Sequence, residues 1–192
     1  MNKKRVSMNY KQYKQLFEEI LANLYPVPPY NEDLYLEYTK LNRSRMRRWD
    51  KLLELDENLV SLLRKITTPQ HWIIITEPWC GDAAHTVPFL IRMTEQTGYV
   101  SYDIQLRDSE PFLIENYLTN GSRSIPKLIV QDASGYDSFN WGPRPKGAQE
   151  LMDEMKANHA DFETIKIALQ NWYNKDKGVS LCSELAMLLS IR

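Results

Sequence analysis

Apolar residues repeat along this chain with a helical period in its first third and as short runs or alternations further on. Tyr10, Tyr13, Phe17, Ile20 and Leu24 fall three and four apart with charged residues between them, which predicts a first helix. It must stop at Tyr25-Pro26-Val27-Pro28-Pro29, because prolines cannot continue the hydrogen-bond ladder. A second helix is predicted from Asn31 or Glu32 to about Leu55, with Leu34, Tyr38, Leu41, Trp49 and Leu52 inward. Asp56 suits the cap of a third, whose inward residues are Leu59, Leu62, Leu63 and Ile66. Each of these helices has an apolar face that must pack on something.

After the break at Thr67-Thr68-Pro69 the pattern changes. Trp72 to Ile75 is a continuous apolar, β-branched run, as in a strand buried on both faces of a parallel sheet. Ala83, Ala84, Val87, Leu90, Ile91 and Thr94 then predict an amphipathic helix over residues 82–97, stopped by Gly98. Tyr99 to Arg107 alternates as a second strand, with Val100, Tyr102, Ile104 and Leu106 on one side. Asp108-Ser109-Glu110-Pro111 predicts the start of another helix, with Phe112, Leu113, Tyr117 and Leu118 as its apolar set and Asn120-Gly121 as its end.

Ser124 to Gln131 and Tyr136 to Trp141 read as two strands joined by a hairpin turn through Asp132–Gly135. Beyond Gly142–Pro145, the residues Leu151, Met155, Phe162, Ile165, Leu169 and Trp172 form a helical stripe, with an interruption near residues 158–161. A last short helix, Leu181 to Ile191, follows a cap at Ser180. From residue 70 the predicted order is strand, helix, strand, helix, strand, strand, helix. A right-handed crossover makes the first two strands parallel, and the hairpin adds an antiparallel pair.

Composition narrows the function classes. With 192 residues, 43% of them hydrophobic, 26% charged and a net charge of -1, the chain is an ordinary globular one whose bulk charge points to neither nucleic acid nor membrane. The charge is uneven: residues 1–66 carry about +4 and the remainder about -5. No apolar run is long enough to cross a membrane, and the basic N-terminus lacks the apolar segment of a secretory signal. Two cysteines 102 positions apart make no disulfide framework, so the expected compartment is cytoplasmic, with reduced thiols.

Cys80 sits where the first strand hands over to the following helix. Free amides and the positive end of the helix dipole favour a thiolate at such a position, which makes Cys80 the main candidate nucleophile and predicts a partly exposed thiol. The alternative is an inert cysteine in a loop without function.

Trp79-Cys80-Gly81-Asp82 resembles the active-site loop of the thioredoxin family, whose motif is Trp-Cys-x-x-Cys after the first core strand. Here the second cysteine position is Ala83, and the position of the buried acid six residues before the first cysteine is Ile74. Ile125-Pro126 stands where the family has a cis proline facing the active-site cysteine, presenting backbone to an incoming chain and helping to keep metals off the thiol. Trp141-Gly142-Pro143-Arg144-Pro145 and the segment Trp172 to Gly178 resemble a bacterial thioredoxin-like subgroup. The resemblance covers residues 70–174. It implies an α/β fold of thioredoxin-like three-layer α/β/α type, with a four-stranded mixed sheet in the order 2-1-3-4. An N-terminal helical extension (residues 1–68) would pack on the thioredoxin-like domain (69–174), followed by a C-terminal helical tail (175–192). The dithiol chemistry cannot be carried over.

The other reactive side chains add little. Asp82 either bonds the loop amides as a helix-start residue or raises the thiol pKa by its charge. His85 lies about 140° around the helix from Cys80 and reads as a surface or partner-contact residue rather than the base of a Cys/His pair. Cys182 is a remote resolving thiol only if its helix folds over the loop; Leu181, Leu185, Leu188 and Leu189 point instead to a small buried residue. The histidines (His71, His85, His159) and cysteines occur at no zinc-ligand spacing, and Glu77 occupies the place of a peroxidatic threonine. Arg43, Arg45, Arg47 and Arg48 could meet phosphate or an acidic partner, but they read better as a solvated helix face balanced by Glu37, Asp50 and Glu54.

Two functions follow. One is a single-cysteine thiol-disulfide oxidoreductase working through mixed disulfides at Cys80, with Trp79, Gly81, Asp82 and Ala83 as its loop and Ile125, Pro126 and Trp141 as its substrate groove. The other is a non-catalytic thioredoxin-like module that binds an extended peptide in the same groove. A thiolate pKa below the free value favours the first, and a normal or raised one the second. Neither needs a cofactor or metal. The expected partner is a protein or low-molecular-weight thiol or disulfide, not nucleic acid or membrane.

Overall fold

The structure, a computed structural model, describes residues 7–22 and 27–190. Leu24, Tyr25-Pro26 and Ile191, which the sequence reading used, lie outside the described residues. Helix α1 (Tyr10–Leu21) starts at a reciprocal cap: Asn9 Oδ1 accepts from the Gln12 amide, and Gln12 Oε1 accepts from the Asn9 amide. It buries Tyr13 and Phe17. Helix α2 (Asp33–Leu52) follows, then α3 (Glu57–Arg64), capped by Asp56, whose carboxylate accepts from the amides of Asn58 and Leu59.

Strand β1 (Gln70–Thr76), helix α4 (Gly81–Thr94) and strand β2 (Val100–Leu106) form the parallel crossover unit. Strands β3 (Lys127–Gln131) and β4 (Asp137–Trp141) form the hairpin, turning at Gly135 with φ +81°. The sheet order is β2-β1-β3-β4. Ile74 lies opposite Ile104 on the parallel side and opposite Leu128 on the antiparallel side, so β1 is central and fully buried from Trp72 to Thr76. Met8 pairs with Ile104 and extends the sheet beyond β2. Helices α5 (Lys146–Ala157), α6 (Phe162–Asp176) and α7 (Val179–Ser190) complete the chain. One apolar core joins side chains of α1, α2, α3, α4, the sheet and α7.

Five expectations are corrected by this arrangement. First, α2 ends at Leu52, and Leu34, Leu41 and Leu52 are exposed; its inward row is Thr39, Asn42, Met46 and Trp49. Burying the two polar members costs little because both are satisfied: Thr39 Oγ1 donates to Tyr35 O, and Asn42 Nδ2 donates to Pro78 O. Second, α4 is buried almost all round rather than on one face, because α2 covers its outer side; Trp49 meets the Phe89 ring edge-on at 5.2 Å.

Third, the helix expected after Asp108 is absent. Phe112 is exposed and adopts φ +53°, a left-handed conformation that stops a right-handed helix, and only a single 3₁₀ turn follows at Leu113–Asn116, burying Ile114. Fourth, Phe162 is exposed while Tyr173 is buried, so the inward face of α6 differs from the predicted stripe. The interruption itself falls at Asn158–Asp161, where Asp161 caps α6. Fifth, helix α7 begins before Ser180, after Gly178 at φ +83°; the Ser180 amide donates to Asp176 instead of Ser180 capping the helix.

Candidate functional site

Cys80 is the N-cap of α4, its carbonyl accepting from the Ala84 amide at 3.2 Å. The amides of Asp82 and Ala83, at the start of the helix, lie near its sulfur without closing a cap hydrogen bond to it. On the other side the thiol donates to the carbonyl of Ile125 at 3.4 Å, immediately before the cis Ile125–Pro126 bond. Loop, helix start and the approach to β3 therefore meet at one sulfur atom. Two expectations fail here. The thiol is buried, only 7% of it accessible, where partial exposure was expected, and its pKa is pushed up to about 12 rather than lowered. Burial is the main cause, and the Asp82 charge adds to it; the Ala83 and Asp82 amides and Arg144 pull the other way without prevailing.

The side chain of Asp82 makes long-range bonds. Arg144, from the segment after β4, donates to Asp82 Oδ2 through Nη2 at 2.6 Å and through Nε at 3.1 Å. Tyr173 on α6 donates to Oδ1 at 2.6 Å. Arg144 is in turn fixed by Gln149 Oε1. The ring of Tyr173 stacks on His85 at 4.4 Å between centroids, 2° from parallel. His85 is thus buried rather than a surface contact; its Nδ1 accepts from Trp49 Nε1 at 3.0 Å, which leaves Nε2 to donate to Gln170 Oε1 at 3.2 Å. Burial lowers its pKa to about 4, so it is neutral and no partner for the thiol in acid-base work.

The opposite flank of the loop is held by α2 and the turn before it. Tyr30 donates to Glu77 Oε2 at 3.2 Å, and the Asp108 amide donates to Glu77 Oε1 at 3.0 Å. Burial pushes the Glu77 carboxyl up to about 7. Asn42 Nδ2 donates to Pro78 O at 2.9 Å in a buried contact. Tyr35 meets the Trp79 ring edge-on at 5.7 Å, and Arg107 lies over that ring at 4.6 Å. A β-carbon at Gly81 would sit 3.6 Å from Arg45 Nη1.

The proposed groove is not open either. Ile125 and Trp141 are both buried, and Trp141 Nε1 donates to Glu184 of α7 at 2.7 Å. Gly142 passes so close to the Pro126 carbonyl that an added β-carbon would lie 2.2 Å from its oxygen. Ala83 is buried in the first turn of α4. Cys182 is buried within α7, a helix that packs on α3. In the arginine cluster, Arg43 and Arg47 pair with Glu18 of α1 rather than with Glu37, Asp50 or Glu54, and Arg48 bonds Asn174. Among the described residues, no three His, Cys, Asp or Glu side chains come close enough to hold a metal ion, and no helix is long and apolar enough to cross a membrane.

The partners that sequence reasoning missed are Tyr30, Tyr35, Asn42, Arg107, Arg144 and Tyr173. Arg144 and Tyr173 carried usable signals, standing in the Trp141–Pro145 motif and the Trp172–Gly178 segment.

A strand-to-helix loop bearing Trp79-Cys80 beside a proline that precedes an antiparallel hairpin defines a thioredoxin-like protein. The sequence profile of the thioredoxin family matches residues 29–156, and the chain belongs to that family. Among solved structures it is similar to an HIV epitope-scaffold protein (TM-score 0.56, 12% identity, covering 96% of this chain and 99% of that one). It is also similar to a Pseudomonas aeruginosa protein of unknown function (TM-score 0.45, 14% identity, covering 90% and 99%). At these identities the first likeness speaks for the fold alone. No curated protein matches the chain.

Proposed function

We propose that this thioredoxin-family protein is a single-cysteine thiol-disulfide oxidoreductase that forms mixed disulfides at Cys80. The observation that carries the reading is the position of the sulfur, at the N-terminus of α4 and 3.4 Å from the Ile125 carbonyl. A disulfide brought to the Ile125–Pro126 segment ahead of β3 would meet both the nucleophile and backbone able to align it. Cys80 sulfur would attack one sulfur of the incoming disulfide; the new S–S bond forms as the old one breaks, and the proton lost by Cys80 ends on the leaving thiol. With Ala83 where a resolving thiol would stand, the adduct persists until an outside thiol attacks it. Two unpaired cysteines suit a reducing cytoplasmic setting, where such thiols are plentiful.

The raised Cys80 pKa comes first from burial, so it belongs to the closed form. That same burial favours the second reading, a binding module with an idle thiol. The two part on intact mass after treatment with oxidised glutathione. The oxidoreductase reading expects one glutathione on wild type and on Cys182→Ser, and none on Cys80→Ser. Equal capping of Cys80→Ser, or none on any variant, transfers the function to the binding module.

A further inference from the structure

We propose that residues 30–42, the turn before α2 and its first half, form a lid over the Cys80 loop that must lift before the thiol reacts. The proposal rests on the thiol-exchange reading for its purpose, but its geometry stands alone. Residues from this stretch and the next turn of α2 meet Glu77, Pro78, Trp79 and Gly81, through Tyr30, Asn42, Tyr35 and Arg45 in that order. Cys80 stands in the chain between these held residues, buried and with its thiol turned to Ile125. Asn42 takes the Pro78 carbonyl and Tyr35 takes an edge-on place on Trp79. These are a backbone acceptor and an aromatic surface in the thiol loop, and both stay covered while the segment is down.

The two halves of α2 are held differently. Its second half is anchored in the core by Met46 and Trp49. Its first half, from Asp33 to Leu41, buries only Thr39, leaves Leu34 and Leu41 exposed, and starts at Glu32 with no side-chain cap. Tyr30 is buried yet lies outside the main apolar core. A segment fixed by a few polar contacts and little apolar burial opens at lower cost than the whole fold. The lid therefore peels from its N-terminal end while Trp49 stays seated.

The test uses the wild-type chain and its own second thiol. Cys80 and Cys182 are both buried, so labelling of each by N-ethylmaleimide reports the opening that exposes it. A lid predicts that Cys80 labels at least roughly tenfold faster than Cys182, with a clearly shallower urea dependence, because a local opening exposes less surface than unfolding. Equal rates with equal urea slopes would mean that both thiols wait for global unfolding, and the lid would be wrong. Asn42→Ala and Tyr35→Ala should each speed Cys80 labelling by roughly five- to tenfold, the scale of one lost buried contact, while Lys40→Ala on the exposed face should not. No acceleration in either of the first two, with the fold intact, also overturns the lid. If labelling accelerates but oxidised glutathione leaves no adduct, the lid stands and the exchange reading falls.

Discussion

The Tyr173 hydroxyl donates to Asp82 Oδ1 across 2.6 Å, tying α6 to the first turn of the helix that presents Cys80. Arg144 holds the other oxygen, so both oxygens of this carboxylate are engaged and its charge is fixed near the sulfur. Replacing Asp82 by Asn removes a charge that raises the Cys80 pKa and leaves Arg144 without its carboxylate. We expect the Cys80 pKa to fall, read from thiolate absorbance against pH in a Cys182→Ser background. Stability should drop by about 2–4 kcal/mol in urea denaturation, because a largely buried guanidinium loses its partner.

Glu77 gives the site a pH dependence of definite sign. Its carboxyl is pushed up to about 7 in the fold, above the ordinary 4.5, so the folded state holds a proton that the unfolded state releases. Its contribution is fully present below about 4.5 and is lost as pH rises through about 7, roughly 3 kcal/mol in all. His85, lowered to about 4, works oppositely: its contribution is present above its ordinary 6.5 and is lost as pH falls towards 4. The two nearly cancel in wild type where their windows overlap, so the effect must be read as a difference. Relative to wild type, Glu77→Gln should gain stability between pH 5 and pH 8, measured by urea denaturation at both.

Gly178 and Gly98 form a matched pair for the backbone. A β-carbon at Gly178 would lie 2.1 Å from Phe89 Cε1, on a residue at φ +83°, whereas one at Gly98 meets nothing within 4 Å. Gly178→Ala should cost about 2–3 kcal/mol by shifting α7 against α4, while Gly98→Ala should stay within about 0.5 kcal/mol of wild type. Thermal denaturation of both variants checks this.

Ala83→Cys places a second thiol in the first turn of α4, three residues from Cys80, whose pKa the Ala83 amide already influences. We expect an internal disulfide under mild oxidation, seen as loss of thiol titre and faster migration without reductant. Insulin reduction should appear in this variant, whereas wild type should show none.

The parts legible in the sequence were those set by local chemistry. The β-branched run Trp72–Ile75, the Asp56 cap and the placing of Cys80 between strand and helix each follow from neighbouring residues. What failed depended on distant ones. The face of α2 was misread because apolar residues alone were counted, while Thr39 and Asn42 belong to the buried row through bonds to Tyr35 and to the distant Pro78. Cys80 was expected to be partly exposed because no pattern shows that α2 folds onto its loop. Of the two roles read for Asp82, raising the thiol pKa by its charge agrees with the structure and bonding the loop amides does not; its partners Arg144 and Tyr173, 62 and 91 positions away, were out of reach.

Reaction of the native protein with an aromatic disulfide reagent at pH 7 tests Cys80 as the exchange thiol most directly. The account predicts release of one aromatic thiol per chain from wild type and from Cys182→Ser, and none from Cys80→Ser. Release that persists undiminished in Cys80→Ser, or that is absent from the folded wild type on any timescale short of unfolding, would contradict it.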